Sequence, residues 1–194
     1  MAKIGRRNFL KKTSLSVASL YMASTVACAT DKENQPSGGS YMGDFAAPTL
    51  ETVRIAIIGV GARGSGHASQ LASIEGTEIV AIADVYEDLV ARSIAKCIEV
   101  GKGRHQNIAP YSGGDHEWKK MLAEVKPDAV FIATNWGNHA PMAIETMKQG
   151  AHAFVEVPIA VTLQEMWDTV DTSEQTQKHC MMMENVNYGR EELL

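Results

Sequence analysis

The sequence predicts an α/β fold, a doubly wound parallel sheet with helices on both faces. Two observations carry that expectation and a third places a site on it. From Val53 onward, short apolar runs alternate with longer stretches of helical periodicity, the signature of successive strand–helix–strand units. The runs are continuously apolar rather than alternating, as strands covered on both faces require. The first run ends in Gly59-Val60-Gly61-Ala62-Arg63-Gly64, a glycine-rich turn between a predicted strand and a predicted helix.

The elements follow in order. After the strand Val53 to Val60 comes a helix over Ser65 to Ser73, then a second strand, Glu78 to Val85. Tyr86 to Val100 and His116 to Val125 read as the next two helices, and Asp128 to Ala133 as the third strand. A helix over Ala140 to Gln149 is expected to have Asn138 as its N-cap and Pro141 in its first turn, and to stop at Gly150. His152 to Val155 continues the sheet. Thr162 and Glu165 have capping-box spacing ahead of a helix over Leu163 to Gln175, and His179 to Met183 is the last strand expected.

At 194 residues and 45% hydrophobic composition the chain can bury one full core. The folded domain is expected over 51–186. Five of the 18 basic residues fall in the first thirty positions, which hold no acid, so the rest carries 13 against 23 and a net charge of −10. An acidic body without a basic stripe argues against nucleic acid and favours small neutral substrates. Cys28, Cys97 and Cys180 are too few and too scattered for a disulfide framework or a zinc site, and the last two read as buried small hydrophobes. The remaining histidines, His67, His105, His116, His152 and His179, have no spacing that compels a metal.

The N-terminus reads as a targeting segment. Arg6-Arg7-Asn8-Phe9-Leu10-Lys11 form a twin-arginine pattern, and Thr13 to Thr30 are eighteen uncharged residues with seven Ser or Thr among them. A membrane span needs about 20 predominantly apolar residues, which this stretch does not supply. Residues 1–30 are therefore expected to direct export by the twin-arginine route to the periplasm. Cys28, after Thr25-Val26-Ala27, is a candidate lipid anchor, although Leu normally stands three residues before such a cysteine. Residues 31–50, polar and Gly/Ser-rich, are expected to form a flexible linker.

The glycine turn has the context of a dinucleotide-binding Rossmann domain. Gly59 permits the tight turn, Gly61 lets backbone approach a pyrophosphate, and Gly64 lets the helix pack on the strand. Backbone N–H groups at the helix start are placed to hold phosphate oxygens, and Ala62 and Arg63, in the turn before it, are counted with the cofactor-binding residues. Asp84 lies twenty residues after Gly64 at the end of the second strand, where its carboxylate can accept from the adenosine ribose hydroxyls, which favours NAD over NADP. The rival reading is a glycine turn in an empty domain, with Asp84 as a strand-end cap.

Two further segments, Ala133-Thr134-Asn135-Trp136-Gly137-Asn138-His139 and Val155-Glu156-Val157-Pro158, complete a recognisable set. The chain resembles the Gfo/Idh/MocA oxidoreductases and, within them, glycoside hydrolase family 109, whose known activity is NAD-dependent α-N-acetylgalactosaminidase. The likeness runs from about Val53 to the C-terminus, and Met183-Glu184-Asn185-Val186-Asn187-Tyr188-Gly189-Arg190-Glu191-Glu192-Leu193 is its most specific part. The resemblance implies that Trp136, Gly137, Asn138 and His139 border the cofactor and that Glu156, Val157 and Asn185 line its nicotinamide end. Rival readings stand beside these: packing for Trp136, a helix-entry role for His139, strand-end loop residues for Glu156 and Asn185. Val157 stands where many sugar dehydrogenases of this kind have a proton-transferring lysine, and valine moves no proton.

The activity implied is hydrolysis of a glycoside through transient oxidation at C3 and elimination, with NAD regenerated. The alternatives are an exported sugar dehydrogenase and a nucleotide-binding fragment without activity. The family's substrate-binding and proton-transfer groups lie in a second domain, whose truncated beginning is expected at 187–194. No residue of this chain is assigned a catalytic role. The partners expected are a small glycoside, held with the missing domain, and further copies of the chain in a homo-oligomer.

Overall fold

The computed structural model describes residues 40–186 and Arg190. The expected export segment and the residues after Val186 other than Arg190 lie outside the described residues. Among the described residues six strands and five helices alternate: β1 (Val53–Ile58), α1 (Ala62–Ser73), β2 (Thr77–Ala83), α2 (Glu87–Val100), β3 (Ala109–Tyr111), α3 (Glu117–Val125), β4 (Ala129–Ile132), α4 (Trp136–Lys148), β5 (His152–Val155), α5 (Leu163–Thr176) and β6 (Cys180–Met182). All pairings are parallel, in the order β3-β2-β1-β4-β5-β6. The chain winds outward from β1 to β3, crosses back to β4 and winds out the other way. The reversal between β1 and β4 opens a crevice at the carboxyl ends of the strands, where such sheets bind ligands.

Successive residues of one strand serve opposite cores, which is why the apolar runs do not alternate. Ala56 and Ile58 of β1 join Leu122, Met142 and Met147 of α3 and α4 on one face. Ile55 and Ile57 join Ala68, Ala72, Val90 and Cys97 of α1 and α2 on the other. Ile57, Ile82 and Ile132 are completely enclosed, and burial of a side chain of that size contributes roughly 1.5–3 kcal/mol.

Most expected elements appear, with three differences. Strand β3 has no counterpart in the sequence reading, because three residues with Pro110 at their centre give almost no periodicity, and proline is tolerated only at an edge such as this. Helix α1 starts at Ala62, three residues before the expected Ser65, so Arg63 and Gly64 lie within it. Helix α4 starts at Trp136 with Asn135, not Asn138, at the N-cap position. Pro141 is then the sixth helical residue, and the reading of Asn138 and Pro141 as the helix entry is corrected. Two helix-end readings hold: Thr162 and Glu165 exchange both bonds of a capping box, and Gly150, at φ +93°, donates to Met147 O while Ala151 donates to Thr146 O.

Chain segments at the amino ends of the strands tie one another down. Arg104 donates to the carbonyls of Ala72, Ser73, Ile74 and Gly101, and His105 Nε2 lies 3.0 Å from Ala72 O, so the C-terminus of α1 is sealed. Arg54 does the same for α3, donating to Val125 O and Lys126 O. The described part of the linker, from Ser40, is docked: Ser40 N donates to Glu174 O, and Phe45 packs on His179 with ring centroids 5.0 Å apart. Helix α5 presents Leu163, Met166, Trp167 and Val170 outward, between 46% and 70% exposed. Among the described residues no helix is long and apolar enough to cross a membrane.

Candidate functional site

The crevice is built from the turn between β1 and α1. Gly59 has φ +85°, and a Cβ there would lie 2.5 Å from Ala133 O, so only glycine lets β1 end beside β4. A Cβ on Gly64 would strike the carbonyl oxygen of Gly59, so the third glycine sets how closely α1 approaches the turn. Gly61 is different: nothing lies within 4 Å of a Cβ added there. Its missing side chain keeps open the space in front of the helix start. Gly61 is also the N-cap of α1, with no side-chain cap and no acid in the first turn. The positive end of the helix dipole and its N–H groups are thus left for an anion.

Asp84, at the carboxyl end of β2, uses both oxygens on the backbone. Oδ2 accepts from Val60 N at 2.7 Å, inside the glycine turn, and Oδ1 accepts from Tyr86 N at 3.1 Å. The carboxylate both caps the strand end and fixes the turn, and it lines a cavity of about 740 Å³ with further lone pairs for ribose hydroxyls. Gly59, Gly61 and Asn138 line the same cavity. So do Thr134 and Asn135 of the segment quoted above, and residues not singled out from the sequence: Val85, Tyr86, the loop at Gly114 to His116 and the first turn of α3 up to Lys119. The signal for that loop is the glycine pair Gly113-Gly114 after β3, with Gly113 at φ +89°. An open pyrophosphate cradle, an uncapped helix start and a carboxylate at the cavity wall fit a dinucleotide.

The remaining expected site residues divide. Trp136 and Gly137 are exposed in the first turn of α4, and Ala62 and Arg63 are exposed at the start of α1. His139 is enclosed, at 1% exposure, with Nδ1 2.7 Å from Pro158 O and Nε2 3.1 Å from Thr134 O. It ties the β4–α4 loop to the β5–α5 loop. Asn185 is exposed beyond β6.

Glu156 and Arg63 meet, and they bring in His67. Glu156 Oε1 lies 2.6 Å from His67 Nε2 and 3.2 Å from Arg63 Nε, and Oε2 accepts from Val157 N at 3.2 Å. Burial pushes the Glu156 carboxyl up, but the His67 hydrogen bond, the Val157 N–H and the Arg63 charge together hold it below its ordinary value. It is therefore ionised at neutral pH and engaged through both oxygens. No spacing in the sequence announces a pair 89 residues apart. Among the described residues no group of three or more His, Cys, Asp or Glu could hold a metal.

Comparison with known proteins agrees with this geometry. Residues 53–184 match the family described as an oxidoreductase family with an NAD-binding Rossmann fold, Gfo/Idh/MocA. Glycosyl hydrolase family 109 protein 2 of Akkermansia muciniphila is 55% identical over 161 residues, 82% of this chain and 33% of that protein. A Shewanella oneidensis protein named alpha-N-acetylgalactosaminidase is 44% identical over 100% of this chain and 42% of its own length. The chain thus spans between a third and about two-fifths of these curated relatives. Among solved structures, myo-inositol dehydrogenase from Lactobacillus casei in complex with NAD(H) and myo-inositol has a TM-score of 0.60 at 23% identity, over 72% of this chain and 38% of that one. An NAD-binding protein from Listeria innocua gives 0.59 at 24%, over 72% and 37%. These two likenesses show the fold. The chain belongs to the Gfo/Idh/MocA oxidoreductase family, and its glycine turn is part of an NAD-binding Rossmann domain.

Proposed function

We propose that this chain is the NAD-binding part of a redox-assisted glycosidase that acts on terminal α-N-acetylgalactosamine or a related glycoside. When bound, the cofactor supplies a reversible hydride acceptor for a sugar C3 hydroxyl, so that elimination at C1, water addition and hydride return sum to hydrolysis without net redox change. The turn at Gly61 receives the pyrophosphate, Asp84 holds the adenosine ribose, and the loop from Glu156 to Pro158 borders the nicotinamide with Asn185. The observation that carries this reading is the absence of a free proton-transfer group on that loop. Glu156 is committed to His67 and Arg63, both nitrogens of His139 face carbonyls, and Val157 is aliphatic. A dehydrogenase working from this loop would need such a group. The chain's part is to bind and orient the cofactor, while substrate contacts and proton transfer belong to residues outside it. The relative named alpha-N-acetylgalactosaminidase supports the substrate class.

The N-terminal pattern supports export by the twin-arginine route, and relatives from Shewanella align over 100% of this chain, including that segment. Cys28 is the candidate point of lipid attachment, which mass spectrometry of the membrane fraction would reveal.

The test is a full-length reading frame containing this chain, expressed and assayed with p-nitrophenyl α-N-acetylgalactosaminide. Continued nitrophenol release with bound NAD and no net NADH is the expected result. NADH accumulation from free sugar without nitrophenol release would replace the proposal with a sugar dehydrogenase, and nucleotide binding alone would leave a binding module.

A further inference from the structure

Arg63 and His67 stand four residues apart on α1, so they share one face of the helix, and Glu156 reaches both. The two arms are unequal. Arg63 is 59% exposed, so solvent screens its ion pair, whereas His67 is 22% exposed, Glu156 10%, and their contact is 2.6 Å. Glu156 is itself fixed to the sheet, because its N–H donates to Ile132 O at 2.9 Å. The result is a bridge between two segments with different parts of the site to hold. Helix α1 carries the phosphate turn, and residues 156–158 leave the carboxyl end of β5. Among the described residues, the Glu156 cluster is the one place where side chains of α1 and of that loop are hydrogen-bonded or ion-paired to each other.

We propose that His67 is a positioning residue: through Glu156 it sets the distance between the phosphate turn and the loop bearing Val157, and so determines how well the nicotinamide end of the cofactor is held. The inference rests on the reading above that this loop borders the nicotinamide. A dinucleotide contacts the two segments at once, and the second contact is made well only if the segments are held apart by a fixed length. A short hydrogen bond to an ionised, shielded carboxylate is stiff enough to do that, and the exposed Arg63 arm is not. His67 is expected to touch no atom of the cofactor.

The test is calorimetric titration of the full chain with NAD⁺ and with ADP-ribose, which lacks the nicotinamide. His67→Ala is expected to reduce the ratio of NAD⁺ to ADP-ribose affinity by about fivefold, with ADP-ribose affinity itself nearly unchanged. His67→Gln, which keeps a donor within reach of Glu156, is expected to recover most of that ratio. If His67→Ala does not fold, His67→Asn, too short to span the contact, carries the same expectation. An equal loss for both ligands, or no loss for either, overturns the proposal. Val157→Trp tests the placement of the nicotinamide separately, since it crowds the loop while keeping the side chains of the bridge and the Val157 N–H from which Glu156 accepts. If it spares both ligands, the placement of the nicotinamide is wrong and the proposal falls with it. If it selectively weakens NAD⁺ while His67→Ala does not, the role of His67 alone is wrong.

Discussion

The two ends of the sheet handle their polar groups in opposite ways. At the amino end, carbonyls that helices leave over are consumed by the protein: Arg104 and His105 close α1, and Arg54 closes α3. His152 Nδ1 accepts from His179 N at 2.9 Å across the start of β5. At the carboxyl end the first turn of α1 has no side-chain cap, Gly61 faces open space, and Asp84 stands at the wall of the crevice cavity. The amino end uses its polar groups for stability, whereas at the carboxyl end the turn at Gly61 keeps its N–H groups for a ligand, even though Asp84, His139 and Glu156 also make structural bonds there. Mutations at the amino end should therefore alter folding and spare NAD, while mutations at Gly61 should do the reverse.

The largest effect is expected where the two roles coincide. Gly64→Ala pushes a Cβ into the Gly59 carbonyl, so urea unfolding should show a loss of about 3 kcal/mol together with loss of NAD⁺ binding. Arg104→Ala leaves several carbonyls at the C-terminus of α1 without their donor. It should cost about 2 kcal/mol by the same measurement while leaving NAD⁺ affinity within about twofold. Asp84→Ser weakens the turn, but its diagnostic effect is on choice of cofactor. The ratio of NADP⁺ to NAD⁺ affinity should rise by about tenfold, read by parallel titrations.

The smallest effect concerns pH at the amino end. Burial, with the charges of Lys178 and His179, holds the His152 pKa below its ordinary 6.5, against the opposing pull of Asp128. A histidine kept neutral in the fold contributes stability that is complete above the unfolded pKa and is lost as pH falls below about 6.5. Protonation at Nδ1 would also abolish the bond from His179 N. Stability should thus drop as pH falls from 7.5 to 5.5, and His152→Asn, which keeps an acceptor but does not titrate, should flatten that dependence.

The same division explains what was legible in the sequence. The apolar runs and the three glycines are local patterns with a physical cause in neighbouring residues, so β1, β2, β4, β5 and the turn are evident before any coordinates. Asp84 is legible because its distance from Gly64 is set by one helix and one strand. What escapes depends on the fold itself. The wall from Gly114 to Lys119 follows a three-residue edge strand with a proline in it, and the contact of His67 with Glu156 joins residues that only the sheet order brings together. The sealing roles of Arg54 and Arg104 are equally hidden, since an arginine seeking carbonyls carries no spacing rule.

Gly61→Ala gives the most direct test that the carboxyl end is kept for NAD. The substitution meets no atom within 4 Å and sits at φ −65°, so thermal unfolding without ligand should match that of the unaltered chain. Added NAD⁺ should raise the melting temperature of the unaltered chain and fail to raise that of Gly61→Ala, because the new methyl group occupies the path of the pyrophosphate. An undiminished NAD⁺ shift in the variant would contradict the account and move the cofactor away from this turn.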